Sequence, residues 1–187
     1  MKISNEFEVA RPVDTVWEFF QDVPSVAQCL PGAELTDDKG DGVYAGSVSV
    51  KLGPMSAMFE GEATVTPDPA AKSARISGKG VDRRGGSRGQ VKVDYRLDAV
   101  DSGTRVTVDA DVTLAGSAAQ FGRTGLVNEM SSRLIGEFVE CLEKKLEAAT
   151  PEEAAAVTAG EVKGISLLLA SLVSWMARFF KRLFGRQ

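Results

Sequence analysis

TRVTVDADVTLAGSAAQFGRTGLVNEMSSRLIGEFVECL, residues 104–142, changes its period halfway along. Up to Leu114, the apolar residues Val106, Val108, Ala110, Val112 and Leu114 alternate with Arg105, Thr107, Asp109 and Asp111, the two-residue period of a half-buried strand. Beyond Gly116, Leu126, Met130, Leu134, Phe138 and Leu142 return every four residues, with Glu129, Arg133, Glu137, Glu140, Glu143 and Lys144 around them. That spacing predicts one long amphipathic helix over residues 117–148. A strand with one apolar face, followed by a helix with one apolar stripe, calls for the two to be buried against each other.

The same alternation occurs upstream in four further runs: 42–52 (Tyr44, Gly46, Val48, Val50, Leu52), 57–65 (Ala57, Phe59, Gly61, Ala63, Val65), 74–80 (Ala74, Ile76, Gly78, Gly80) and 89–97 (Val91, Val93, Tyr95, Leu97). Short polar breaks such as Pro67-Asp68-Pro69 and Asp101-Ser102-Gly103 join them, so successive strands are expected to be antiparallel neighbours. Residues 2–10 alternate as well and stop at Arg11-Pro12. Residues 13–20 then read as a short helix with Trp17 and Phe20 inward, and Pro24 opens a second that the CLPG of residues 29–32 ends. The expected fold class is α+β, a curved antiparallel sheet folded around one long C-terminal helix.

The inward face of that sheet is small. Gly46, Ala57, Gly61, Ala63, Ala74, Gly78, Gly80, Gly89 and Ala110 all fall on it. On one reading the glycines let the sheet bend and the helix approach. On the other they leave a hollow between sheet and helix, lined by Phe59, Tyr95, Met130, Leu134 and Phe138, whose natural guest is a lipophile.

Composition excludes much. The chain carries 22 Lys+Arg against 26 Asp+Glu, a formal charge of −4. An acidic body argues against nucleic acid as a partner. With no histidine there is no His general base, no Ser-His or Cys-His nucleophile and no His-ligated metal. Neither a catalytic residue nor a metal site nor a covalent cofactor is expected. Cys29 and Cys141 are able in principle to pair, but two buried free thiols are expected in a chain whose start, MKISNEFEVARPVD, lacks an export signal. Gly85-Gly86-Ser87-Arg88-Gly89 reads either as an anion cradle or as a flexible hairpin tip, and Arg83, Arg84 and Arg88 there are equally able to dock an acidic partner.

Residues 149–164 are rich in Ala, Glu and Gly without apolar periodicity and read as a flexible linker, after a domain spanning 1–148. Residues 165–187, ISLLLASLVSWMARFFKRLFGRQ, are both apolar and basic, with Arg178, Lys181, Arg182 and Arg186 and no acid. Setting those four bases aside leaves 18 against 26, so the preceding body is near −8. At steps of about 100° per residue, Leu168, Leu172, Trp175, Phe179 and Phe180 share an apolar half-cylinder while Arg178, Lys181 and Arg182 gather opposite. The uncharged run stops at Ala177, so an interfacial helix on anionic lipid is the expectation, with docking on the body or a partner as the alternative.

Strand, paired short helices, antiparallel sheet and long helix resemble the helix-grip fold of the START/polyketide-cyclase-like superfamily. More narrowly, CLPGAE (29–34), VKLGPMSAMFEGEATV (50–65), GKGVDRRGGSRGQ (78–90) and LAGSAAQFGRTG (114–125) resemble the carbon monoxide dehydrogenase CoxG family, over roughly residues 1–147. The resemblance implies a non-catalytic accessory of a molybdenum-containing dehydrogenase. Joined to the hollow and the basic tail, it leads to the expectation of a peripheral protein on the cytoplasmic face of the membrane, carrying a respiratory quinone (menaquinone or ubiquinone) between bilayer and dehydrogenase. A ligand-free recruitment or maturation factor and a small cyclase-like enzyme are the alternatives.

Overall fold

A computed structural model describes residues 1–52, 55–123, 126–148 and 150–159 of the chain. Seven strands form one antiparallel sheet: β1 (Lys2–Val9), β2 (Ala33–Asp38), β3 (Val43–Leu52), β4 (Met55–Asp68), β5 (Ser73–Asp82), β6 (Ser87–Val100) and β7 (Gly103–Ala115). Their spatial order is β1-β7-β6-β5-β4-β3-β2, so β2 through β7 form a meander and β1 closes onto the last strand. Two helices, α1 (Val13–Gln21) and α2 (Val23–Cys29), connect β1 at one edge of the sheet to β2 at the other, and α3 (Leu126–Glu147) follows the last strand. The expected curved antiparallel sheet with its long C-terminal helix is what the chain forms.

The register explains why alternation was informative. Tyr95 pairs with Ala74 on one side and Val108 on the other, and Val91 with Gly78 and Val112, so each run's apolar residues meet on one face. Charged residues share the opposite, convex face, where cross-strand pairs such as Arg75–Asp94 at 2.8 Å and Arg105–Glu8 at 2.9 Å form. Exposed pairs of this kind contribute about 0 to 1 kcal/mol each.

Three expectations need correcting. The long helix begins at Leu126, not Ser117, because Gly116–Arg123 forms a 3₁₀ segment. Gly116 takes φ +75°, and Ser117 turns its hydroxyl to the Gly85 carbonyl, so this Gly-rich stretch is held against the β5–β6 turn. Cys29 and Cys141 are not free thiols. They form a disulfide, with Cα atoms 5.3 Å apart, that ties α2 to α3. Finally, the expected linker opens with a helix, α4 (Pro151–Ala156), capped by Thr150 and docked on the body. Ala159 donates its N–H to the Gln28 carbonyl at 2.8 Å, and Val157 packs on the core. The rest of that segment and the whole of 165–187 lie outside the described residues.

Candidate functional site

Burial is divided unevenly along the concave face. Val9, Trp17, Phe20, Cys29, Ala74, Tyr95, Leu97, Val106, Phe138, Cys141 and Leu142 are all below a tenth exposed. Every one belongs to α1, α2, the second half of α3, or the strand ends beside them. The opposite half of the face, towards the β3–β4 and β5–β6 turns, has no buried aliphatic side chain among its described strand residues. Val48 is 44 % exposed there although it points inward, and Leu134 on the same helix face as Phe138 is 39 % exposed. One pole of the domain is therefore a closed core and the other an open groove.

The floor of the groove is a row of glycines. Gly46 pairs with Gly61, Gly61 with Gly80, and Gly80 with Gly89, before the row ends on Leu114 of β7. Two of the four are there for backbone packing: a Cβ on Gly46 would lie 2.5 Å from the Glu34 carbonyl oxygen, and one on Gly61 would collide with the Lys79 carbonyl. The other two serve a side chain. A Cβ on Gly80 would meet Phe59 Cβ at 3.1 Å, and one on Gly89 would meet the Phe59 ring at 3.5 Å. The four glycines thus serve packing in two ways. Gly46 and Gly61 let the sheet bend, and Gly80 and Gly89 form a bed on which the Phe59 ring lies.

The five residues expected to line a hollow separate accordingly. Phe59 and Leu134 border the open groove, Phe59 half-buried and Leu134 exposed. Tyr95 and Phe138 belong to the closed pole, where they flank Phe20 at ring-centroid distances of 4.9 and 6.0 Å. Phe7 adds a further edge contact to Phe138 at 6.2 Å. They form the inner wall of the groove rather than its lining. Met130 stands in α3 one turn before Leu134, and its side chain lies outside the described residues. The membrane-facing set Leu168, Leu172, Trp175, Arg178, Phe179, Phe180, Lys181 and Arg182 lies outside them too.

Polar groups are few on this face. On the inward positions of β3 to β7 the titratable side chains are Tyr44, Asp82 and Tyr95. Burial pushes the Tyr95 hydroxyl up to about 12, with a hydrogen bond to the Gln21 side chain pulling the other way. Asp82 accepts the backbone N–H groups of Arg84 and Gly85 on its Oδ1, both at 2.9 Å. At the closed pole Lys145 is 6 % exposed and donates to Gln28 Oε1 and to the Ala154 carbonyl, both at 2.7 Å. Burial lowers its pKa, against an opposing pull from the Asp22 carboxylate. Lys145 is thus the clamp holding α4 to α2, which its place among the helix's charged residues did not reveal.

A separate depression of about 430 Å³ lies on the convex face, edged by Thr66, Asp68, Arg75, Asp94, Arg96 and Asp109. Its walls are charged, unlike the apolar hollow expected between sheet and helix. Among the described residues no three His, Cys, Asp or Glu side chains converge as metal ligands, and no helix is long and apolar enough to cross a membrane.

Comparison with known proteins places this geometry. The fold is similar to a conserved protein of Geobacillus kaustophilus, with a TM-score of 0.68 and 17 % identity over 78 % of this chain and 95 % of that one. It is also similar to the Zhui aromatase/cyclase of Streptomyces sp. R1128, with a TM-score of 0.55 and 17 % identity over 80 % of this chain and 97 % of that one. At these identities the likeness shows the helix-grip fold alone. No curated protein matches the chain. The pattern of the carbon monoxide dehydrogenase family CoxG matches residues 6–147, from β1 to the end of α3. The chain belongs to the carbon monoxide dehydrogenase CoxG family.

Proposed function

We infer that the protein is a non-enzymatic carrier that takes a lipophile into the open groove and serves a carbon monoxide dehydrogenase at the membrane. The observation that carries this reading is the half-covered concave face. Val48 and Leu134 are 44 % and 39 % exposed on the side of the sheet where a single-core domain would bury them. Exposed apolar surface costs about 25 cal/mol per Å² relative to burial, so a guest that covers it gains what the closed pole has already gained. The groove floor of Gly46, Gly61, Gly80 and Gly89 carries no side chains of its own beside the Phe59 ring, a surface suited to a planar ring with an apolar chain. The family's name supplies the redox setting, and in that setting the lipophile is a respiratory quinone, menaquinone or ubiquinone.

Acid–base chemistry is poorly supported. Tyr95 is held neutral by burial, and the Asp82 carboxylate already accepts two backbone N–H groups. Residues 165–187 give the reading its tether: the apolar half-cylinder sits in the interface and the basic face on anionic headgroups at the cytoplasmic surface.

The test is organic extraction of the purified full-length protein followed by mass spectrometry, then substrate-driven oxygen uptake by membranes with the dehydrogenase and either the wild-type protein or Leu134→Trp. Quinone in the extract, with uptake lost when the groove is filled, is the expected result. Full uptake with the filled groove would leave only a recruiting role.

A further inference from the structure

The turn between β5 and β6 is built more firmly than its sequence, Arg83-Arg84-Gly85-Gly86, suggests. Asp82, 4 % exposed, accepts the N–H groups of Arg84 and Gly85. Ser87, 1 % exposed, hydrogen-bonds the Ser117 hydroxyl at 2.8 Å and accepts the Ala118 N–H at 3.1 Å. Ser117 in turn donates to the Gly85 carbonyl at 2.7 Å. The left-handed Gly116 brings its backbone against Gly86 so closely that a Cβ there would collide with the Gly86 carbonyl. The turn is clamped to the start of the 3₁₀ segment, and a clamped turn holds its side chains out at fixed positions.

Those side chains are cations with little counter-charge: one long ion pair serves the turn among the described residues. Arg83 is 85 % exposed and reaches Glu60 only at 4.0 Å. Arg84 and Arg88 have no ion pair among the described residues, whereas Arg11, Arg75, Arg96, Arg105 and Arg133 each have a carboxylate within 3.7 Å. Lys79 and Lys92 continue the strip as a row along the convex face of β5 and β6, where they stand opposite Glu62 and Asp111. Beside it stand two exposed apolar side chains, Val81 at 43 %, paired with Arg88, and Met58 at 46 % on β4. The strip lies at the end of the sheet where the groove is open. Exposed acids Asp14, Glu18, Asp22, Asp68 and Asp101 lie at the closed pole, while Glu60 and Asp111 stand beside the strip.

We propose that the β5–β6 turn is a second membrane contact, which seats the open end of the groove on an anionic lipid surface. This rests on the carrier reading for its purpose but not for its measurement. Guanidinium groups pair with phosphate oxygens bidentately, and small apolar side chains beside them enter the interfacial layer. In a body near −8 without its tail, a basic strip at one end and acids at the other orient the domain. The turn carries Arg83 and Arg84 at the tip of the sheet and meets the anionic surface end-on, so the open end of the groove abuts the bilayer. An acidic patch on a protein is the competing partner; the adjacent apolar pair and the open groove end favour lipid.

The experiment compares the full-length chain with the triple variant Arg83→Gln/Arg84→Gln/Arg88→Gln. It uses vesicles of equal parts phosphatidylglycerol and phosphatidylcholine, with pure phosphatidylcholine as reference. As each basic residue near such a surface contributes about a factor of five, the triple variant is expected to lose on the order of 100-fold in affinity for anionic vesicles. It should change little on neutral ones and keep its melting temperature. The control removes the same charge elsewhere, in Arg11→Gln/Arg75→Gln/Arg96→Gln, and is expected to lose far less. Equal losses in the two triples would reduce the effect to net charge and overturn the proposal. Unchanged vesicle affinity with weakened binding to the dehydrogenase would overturn it in favour of a protein partner. Lipophile binding by the wild type in detergent reports the carrier reading separately: its absence defeats that reading whatever the vesicles show.

Discussion

Leu134 and Leu142 lie on one face of α3, two turns apart, and the same substitution at each distinguishes an open groove from a continuous core. Leu142 is fully buried at the closed pole, next to the disulfide-bonded Cys141, so Leu142→Ala is expected to cost about 3 to 5 kcal/mol, the transfer term plus an unfilled cavity. Leu134 is 39 % exposed and faces space that solvent already enters, so no closed cavity forms. The remaining transfer term for its covered part comes to about 1 kcal/mol. In a domain of this size 1 kcal/mol moves the melting temperature by about 2 to 4 °C. Leu142→Ala should therefore lower it by about 6 to 20 °C, and Leu134→Ala by about 3 °C. The assay is thermal unfolding of protein stripped of lipophile by detergent exchange. Enlargement gives the converse result: Leu142→Trp overpacks and costs about 1 to 3 kcal/mol or more, while Leu134→Trp projects into the groove and chiefly weakens ligand binding. If Leu134→Ala costs as much as Leu142→Ala in ligand-free protein, the groove is closed and the reasoning fails.

Reducing Cys29–Cys141, or replacing both with serine, releases a loop of 112 residues' separation, and is expected to cost about 4 to 5 kcal/mol in the chain-entropy picture. Urea unfolding with and without reductant measures it, and coincident curves would mean the bond contributes nothing. Lys145→Met removes the donors to Gln28 and Ala154, so amides of residues 154–159 should exchange hydrogen several-fold faster while those of α3 keep their protection. Unchanged exchange would show that Val157 and the Ala159–Gln28 backbone bond hold α4 without Lys145. For Tyr95 the folded pKa lies above the unfolded one, so between pH about 10 and about 12 the unfolded chain has lost a proton that the folded protein retains, and stability falls as pH rises. The expected loss is about 2 to 3 kcal/mol across that window, absent in Tyr95→Phe. Parallel stability–pH curves for the two proteins would contradict it.

Much of the fold was legible because both of its periods are local. Val91, Val93, Tyr95 and Leu97 announce β6 within seven residues, and the four-residue spacing from Leu126 to Leu142 announces α3. What escaped depends on distant partners. AELTDD carries only Ala33 and Leu35 as apolar signal and becomes β2 by borrowing the edge of β3. The disulfide joins residues 112 apart, and no local pattern brings them within bonding distance. The turn 83–86 reads as flexible because its glycines are adjacent, whereas its clamps, Asp82, Ser87 and Ser117, come from both flanks and from thirty residues on. The groove was legible as an excess of small residues but not in extent. Separating Tyr95 and Phe138 from Phe59 and Leu134 required knowing that the Phe20 ring stands between the first pair.

The division between poles has a thermodynamic logic. A domain of about 150 residues holds only some 5 to 15 kcal/mol of net stability, and leaving half of a concave face uncovered gives up part of the burial that supplies it. The compensations stand together at the closed pole: the aromatic cluster of Phe7, Phe20, Tyr95 and Phe138, the Cys29–Cys141 bond, and the Lys145 clamp that brings α4 onto the body. Each ties α2, α3 or α4 to the closed pole rather than to the strands beneath the first half of α3. The second half of α3 is anchored there, while Leu134 keeps part of its surface uncovered. Stability concentrated at one pole and uncovered apolar surface at the other is what a groove needs to accept a ligand without unfolding. The same separation makes the two ends independently mutable, since substitutions far apart with no shared partner add. A double variant combining Leu142→Ala with Leu134→Trp should therefore show the stability loss of the first and the binding loss of the second, each at its single-variant size.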